Sequence, residues 1–286
     1  MTITQLPFAW HDGDLKPLSD VHISPLDRGF LFGDGVYEVI PYPGGRAVGL
    51  HGHLRRLRDS LAAIDLPLVQ DDAALEAIFE QVVSANGGGG QSLYLQVSRA
   101  GDTRRNHAFP TQQISSLFVM TQPLAPLDID RYKTGFHAIL AHDTRWQRCD
   151  IKSTSLLANV LAKQAAEDAE AIEAILHRDG FITEGSTSAI ACVVDGVLIA
   201  PPLDTTLLPS VTRDLVWRLT EQMNLPTRCE PVPVDTLLAA SEVWLMSSTK
   251  DVAPIVSVGP TRIGNGSPGP IWRELFDAFQ STKYTL

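Results

Sequence analysis

A chain of 286 residues with a formal net charge of -10 is long enough for one large domain or two modest ones, and its sign is wrong for a general nucleic-acid binder, because phosphate backbones reward cationic surfaces. Its composition, 44% hydrophobic and 20% charged, is that of an ordinary globular protein; with no long apolar run and no signal-peptide pattern at Met1-Thr2-Ile3-Thr4-Gln5, a cytoplasmic protein without membrane contact is the expectation. The three cysteines, Cys149, Cys192 and Cys229, are widely spaced, which argues against a C-x-x-C metal site or a disulfide framework and for reduced thiols.

Phe8-Ala9-Trp10 and Leu15-Lys16-Pro17-Leu18, on either side of His11-Asp12-Gly13-Asp14, read as two strands around a tight turn. Residues 24–39 carry glycine at 29, 33 and 35 before a strand-like ending. The G-x-G-x-x-G order is missing and no helix follows at once, so neither a Rossmann nor a phosphate-loop site is expected. Val39-Ile40-Pro41-Tyr42, Pro43-Gly44-Gly45 and Arg46-Ala47-Val48-Gly49-Leu50 suggest a second hairpin. From residue 53 to 64, Leu54, Leu57, Leu61 and Ile64 recur at helical spacing; Arg55, Arg56 and Arg58 lie on the same segment, and spacing does not single one out. A further helix is predicted over residues 71–84, with acidic residues at its positive end. Strands at 93–98 and 117–121 flank a polar loop, residues 99–110, that holds Arg104, Arg105 and His107. A guanidinium offers a forked pair of donors to a carboxylate and a histidine can add a third, which makes the loop a candidate grip for an acid.

Pro123-Leu124-Ala125-Pro126-Leu127-Asp128 has the composition of a linker, dividing the chain into a first domain at 1–122, a linker at 123–133 and a second domain at 134–286. The crevice between two such domains is where a cofactor would be expected. A strand at 134–141 leads to Arg145 and Trp146 and on to Arg148-Cys149-Asp150-Ile151-Lys152, followed by Ser153-Thr154-Ser155 as a cap for a helix through Leu156, Leu157, Val160 and Leu161. Lys152 would then stand at a strand-to-helix junction. Partial burial there penalises the ammonium, and a neutral amine can form a Schiff base with an aldehyde cofactor. A strand at 171–177, a turn at Arg178-Asp179-Gly180 and a returning strand place Glu184 next to Gly185-Ser186-Thr187-Ser188. A carboxylate against a pyridine nitrogen keeps that ring an electron acceptor, and Glu184 is the candidate for it. Strands at 188–194 and 197–200 meet at Asp195-Gly196, a hairpin signal. Ser210 is a plausible N-cap for a helix through Leu215, Val216 and Leu219, whose unpaired amides make an anion site in waiting. A strand at 242–246 delivers Ser247 and Ser248, and a strand at 254–258 and a helix at 271–279 close the chain.

The segments Arg148-Cys149-Asp150-Ile151-Lys152-Ser153, Glu173-Ala174-Ile175-Leu176-His177-Arg178 and Thr183-Glu184-Gly185-Ser186 resemble the pyridoxal-phosphate-dependent aminotransferases of fold type IV, and within that family the group acting on D-amino acids. Gly35-Val36-Tyr37-Glu38 and His53-Leu54-Arg55-Arg56-Leu57 match the same family. The resemblance implies an α+β, two-domain fold with a small N-terminal α/β domain and a larger C-terminal β-barrel-like domain. It implies pyridoxal phosphate held on Lys152, with Glu184 supporting the ring and Arg56, the amides of Val211 and Thr212, the Thr212 hydroxyl and Ser248, with Ser247 close by, anchoring the phosphate. Tyr37, Arg105 and His107 would hold the substrate α-carboxylate, with Arg104 beside Arg105 as the alternative. The implied reaction is a ping-pong transamination between D-amino acids and 2-oxo acids by a homodimer. Branched-chain L-amino-acid transaminases, R-selective amine transaminases and aminodeoxychorismate lyases share the cofactor and fold; the Arg105-x-His107 pair favours D-amino acids.

Overall fold

The structure, a computed structural model, describes residues 5–101 and 104–286. It divides into two compact units, the first made of Met1–Pro126 with Ile151–Ser155 and the second of Leu127–Asp150 with Leu156–Leu286. The linker composition puts the start of the second domain at residue 134 and all of 134–286 within it; the contacts instead return the five residues around Lys152 to the first unit.

In the first unit the elements are β1 (Phe8–His11), β2 (Asp14–Pro17), α1 (Arg28–Phe32), β3 (Gly35–Tyr42), α2 (Leu50–Ala63), α3 (Asp72–Ala85), β4 (Gln91–Arg99) and β5 (Ser115–Pro123). The strands form one antiparallel sheet in the order β2-β1-β5-β4-β3. Alternation gives this sheet two faces. Val36, Ile40, Leu93, Leu95, Val97, Leu117 and Val119 are buried with the apolar stripes of α2 and α3, among them Leu54, Leu57, Leu75 and Phe79. Each such side chain contributes roughly 1.5–3 kcal/mol by leaving water. The opposite face carries Tyr37, Gln96 and Phe118, which are cross-strand neighbours and only half-buried.

Three local expectations are corrected by the structure. The second hairpin does not form: β3 pairs along its whole length with β4, and Pro43–Gly45 curls into a single 3-10 turn after which the Val48 amide donates to the Pro41 carbonyl at 3.0 Å. Residues 28–32, within the block read as glycine-punctuated and then strand-like, make α1, because the Asp27 carboxylate accepts from the amides of Gly29 and Phe30 and Gly33 closes the turn at φ 67°. Ser153-Thr154-Ser155 does not cap the next helix, whose N-cap is Leu156 with no side-chain cap. These residues run along the open edge of β3 instead: Ser153 bridges Val36, and the Thr154 amide donates to the Gly35 carbonyl at 3.0 Å. An edge strand has unpaired backbone groups, and this segment satisfies them.

The second unit contains α4 (Ile129–Thr134), β6 (Phe136–His142), α5 (Leu157–Asp168), β7 (Glu173–Arg178), β8 (Phe181–Gly185), β9 (Ala189–Val194), β10 (Val197–Ala200), α6 (Val211–Gln222), β11 (Thr227–Cys229), α7 (Val234–Ala239), β12 (Glu242–Ser247), β13 (Asp251–Val258), β14 (Thr261–Arg262) and α8 (Pro270–Thr282). Its sheet is mixed, in the order β11-β10-β9-β12-β13-β6-β7-β8, with β14 on β13. The chain leaving β11 reaches β8 at the far edge, where the Ile182 amide donates to the Val232 carbonyl at 2.8 Å and Phe181 bridges Pro233. The sheet therefore curls on itself, which is the barrel-like character expected of this unit. The Asp195-Gly196 turn has φ of 49° and 77°, the left-handed pair that a two-residue hairpin of this twist demands. Among the described residues no helix is long and apolar enough to cross a membrane.

Candidate active site

Lys152 enters the first unit by its backbone. Its amide donates to Ser60 Oγ at 3.2 Å and its carbonyl accepts from the Tyr37 amide at 3.0 Å. The side chain is thereby set over the half-buried face of the sheet, with Nζ 4.3 Å from the centroid of the Tyr37 ring. Tyr37 in turn stacks on Tyr94 at 5.8 Å, and the Tyr94 hydroxyl donates to Gln96 Oε1 at 2.7 Å. Burial, with Tyr37 beside it, pushes the Tyr94 phenol up to about 12, so it stays a neutral donor. Tyr94 and Gln96 carry no motif that singles them out; strand alternation puts them on the Tyr37 face, and the β3–β4 register that makes them its neighbours is not readable from sequence.

One residue on from Tyr37, Glu38 points to the opposite, buried face. Its carboxylate accepts from Arg56 Nε at 2.8 Å and Nη2 at 2.7 Å and lies 2.7 Å from His53 Nδ1. Burial alone would raise the Glu38 pKa, but the Arg56 guanidinium and the His53 hydrogen bond hold it well below the usual carboxylate range. Burial pushes the His53 imidazole down despite Glu38. A neutral His53 must therefore carry its proton on Nδ1 to meet an ionised, acceptor-only carboxylate. Below about pH 6.5 the unfolded chain takes up a proton at His53 that the folded chain refuses, so stability falls as pH falls, by at most about 1.4 kcal/mol per pH unit for one proton. The Glu38 contribution, present above the unfolded carboxylate value of about 4.3, is lost only at still lower pH as its folded value is crossed. The His53→Gln variant is expected to show a shallower fall of Tm between about pH 6.5 and 5 than the parent; equal slopes would remove His53 from this role.

Arg105 and His107 lie on the exposed loop of residues 104–110 and gather around Phe32. The Arg105 guanidinium is 4.9 Å from that ring's centroid and the His107 ring is 5.0 Å from it.

In the second unit Glu184 is buried near the end of β8. Arg145 Nη1 donates to Glu184 Oε1, and the Leu208 amide donates to Oε2 at 3.2 Å. Arg145 is itself clamped by Asp143 through Nε and Nη2, both at 2.9 Å. Burial would lower the Arg145 pKa, but Asp143 and Glu184 raise it, so the guanidinium stays charged. Arg145 joins Asp143 to Glu184 in this buried network, and the sequence assigns it no role; its signal there is Asp143 two positions earlier in a strand exit. The loop after Glu184 is pinned by Glu173, whose buried carboxylate accepts from the hydroxyls of Ser186, Thr187 and Ser188.

Val211 and Thr212 are the first two residues of α6, and the Ser210 N-cap takes the Arg213 amide at 3.2 Å. The cap thus leaves the first two amides of the helix pointing outward with the positive dipole end. Helix α6 packs on β12, which ends at Ser247. The Ser247 Oγ is buried without a hydrogen-bond partner among the described residues, and Ser248 follows it. A buried hydroxyl without an acceptor is costly unless a ligand supplies one.

Residues 35–258 match the model of the family described as amino-transferase class IV. The chain belongs to that family. Class IV aminotransferases are pyridoxal-phosphate enzymes, so the chain is an aminotransferase with that cofactor. It is 38% identical over 271 residues, 95% of each chain, to a D-alanine aminotransferase of Bacillus licheniformis, and 34% identical over 269 residues, 94% of this chain and 95% of the relative, to one of Staphylococcus aureus strain N315. In structure it is similar to the branched-chain amino acid aminotransferase of Escherichia coli, with a TM-score of 0.88 at 21% identity, covering 97% of this chain and 94% of that one. The branched-chain amino acid aminotransferase from Thermobaculum terrenum, solved in its PLP form, gives a TM-score of 0.84 at 23% identity over 98% of this chain and 94% of that one. Likeness at that identity establishes the type IV fold and nothing finer. The residues present fit a phosphorylated cofactor: an orphaned buried hydroxyl at Ser247 and a capped helix start at Val211 offer donors to an anion, and a charge-supported carboxylate stands at Glu184.

Proposed function

We propose that this class IV aminotransferase moves the amino group of D-amino acids, of the D-alanine and D-glutamate type, to 2-oxo acids such as 2-oxoglutarate in a ping-pong cycle. What carries this reading is that relatives matching 94–95% of the chain at 34–38% identity are D-alanine aminotransferases, in company with the Arg105-x-His107 loop. The cofactor supplies an aldehyde and an electron sink; the work of the chain's own residues is to hold, orient and move protons. Lys152 would be the amine that holds the cofactor and the base that moves the proton at the substrate Cα. Glu184, which accepts a hydrogen bond from Arg145, would be the carboxylate for the ring nitrogen. The phosphate falls to the amides of Val211 and Thr212, the hydroxyls of Thr212, Ser247 and Ser248, and Arg56. Because Glu38 already fixes the orientation of the Arg56 guanidinium, its charge is in place before an anion arrives, and little ordering is left to oppose binding. Tyr37, Arg105 and His107 orient the substrate carboxylate.

The same reading takes the chain as a cytoplasmic homodimer. Leu157, Val160 and Leu161 lie on α5 at i, i+3 and i+4, each more than half exposed, an apolar stripe of the kind that a second subunit covers. A sedimentation mass of one chain would remove that part.

The experiment that tests the substrate is a donor panel with single enantiomers. D-alanine with 2-oxoglutarate is expected to give pyruvate and D-glutamate, with little from L-leucine. Turnover of L-leucine without D-alanine would place the chain with the branched-chain enzymes instead.

A further inference from the structure

The loop proposed to hold the substrate carboxylate presents a physical difficulty. Arg105 and His107 are exposed, and a long arginine side chain at the surface gives up much of its rotamer entropy when it is fixed in one geometry. A grip built on such residues is weak unless something holds them in place before the acid arrives.

The short helix α1, which the sequence did not announce, supplies such a hold. Arg28, buried at its start, sends its guanidinium beneath the loop: Nη1 donates to the carbonyls of Asn106 and Ala108 and Nη2 to that of His107 at 3.0 Å, while Nε pairs with Asp34 Oδ2 at 2.8 Å. The same Asp34 oxygen takes Arg99 Nε at 3.0 Å, and the Arg99 guanidinium lies 3.7 Å over the ring of Phe109. The loop backbone is thus tied at three successive carbonyls and at Phe109. At the other end of α1, the Phe32 ring faces Arg28 at 5.0 Å, Arg105 at 4.9 Å and His107 at 5.0 Å, the last with an interplanar angle of 35°. An aromatic face attracts a guanidinium electrostatically while leaving its N–H edge available for in-plane hydrogen bonds.

We propose that Phe32 and Arg28 are positioning residues for the carboxylate grip: Arg28 fixes the backbone that carries Arg105 and His107, and the Phe32 ring orients both side chains so that their donors face the substrate acid. The proposal rests on the reading of Arg105 and His107 as that grip, and the test separates the two. Propionate, a carboxylate with no amine, reports on the grip alone when used as a competitive inhibitor, alongside the Michaelis constant for 2-oxoglutarate. Phe32→Leu in the holoenzyme is expected to raise both constants roughly 2- to 5-fold, the size of a cation–π contact at an exposed site, with the visible absorbance of the bound cofactor unchanged and kcat lowered far less. Phe32→Tyr, which keeps the ring, is expected to restore both constants, and Arg28→Lys to raise them as Phe32→Leu does. If Arg105→Gln weakens propionate but neither Phe32→Leu nor Arg28→Lys does, the positioning role is wrong and the grip stands. If Arg105→Gln leaves propionate inhibition unchanged, the grip itself is wrong and the proposal falls with it. Loss of cofactor absorbance or of folding in Phe32→Leu would assign the ring to the fold and overturn the proposal equally.

Discussion

Replacing Lys152 by alanine is expected to lower turnover roughly 10⁴-fold, the range in which a positioned proton-transfer group acts, and to remove the visible absorption of the lysine-bound cofactor. The expectation follows from how the residue is held. Its amide and carbonyl are engaged by Ser60 and Tyr37, so the segment stays in place when the side chain is cut back. What is removed is the side chain that carries the amine over the Tyr37 ring. Little change in Tm should accompany the loss, because the backbone bonds that hold the segment do not depend on the side chain. The measurement is a coupled assay with the preferred donor together with a spectrum of the variant incubated with pyridoxal phosphate. Retention of both turnover and absorbance would dismiss Lys152 as the working amine.

The second large effect is expected at Arg145. The Asp143 side chain is fully buried, and those of Glu184 and Arg145 are less than a tenth exposed. Burial raises the Asp143 pKa, but the hydrogen bonds and charge of Arg145 lower it overall. Removing the guanidinium in Arg145→Leu leaves two carboxylates in a low-dielectric setting where Arg178, 3.2 Å from Asp143, the Thr183 hydroxyl at 3.0 Å from it and the Leu208 amide on Glu184 offer compensation. Breaking a buried charge network by deleting one member costs about 3–5 kcal/mol, and Arg178 puts the expectation near the lower end. The linkage changes in step. In the parent, Asp143 contributes stability above the unfolded value of about 3.9 that is lost as pH falls through its lower folded value; in the variant that contribution is gone. Urea unfolding at neutral pH measures the loss, and a variant within about 0.5 kcal/mol of the parent, the range of ordinary surface substitutions, would show that Glu184 is held by other means. Arg145→Lys keeps the charge but not the fork, so it should recover part of the stability and less of the activity, since Glu184 loses a directed donor.

How much of the fold and site is legible in the sequence depends on how far apart the interacting residues lie in the chain. The Asp195-Gly196 turn, the Ser210 cap and the stripes of α2 and α3 are written within one or two turns of backbone, and each stands where local chemistry put it. The lysine and glutamate motifs are legible for the same reason, because what identifies them is the run of residues on either side. Other features mislead for an equally physical reason. Ser153-Thr154-Ser155 has the composition of a helix cap, yet Thr154 Oγ1 donates to the Gly33 carbonyl at 3.0 Å, since an unpaired strand edge nearby competes for the same hydroxyls. Pro43-Gly44-Gly45 has the composition of a hairpin turn, yet β3 finds a better partner in β4.

The sequence alone determined the family, the α+β class, the residue types available for chemistry and the elements with local start and stop signals. Tertiary structure alone decided which charges meet. Glu38 finds Arg56 across 18 positions, Arg145 finds Glu184 across 39, and Arg28 finds the His107 carbonyl across 79. Periodicity and capping act over a few residues, whereas these pairings depend on where sheet register and chain crossings bring distant segments, and only after that are the desolvation and Coulomb terms of the site set.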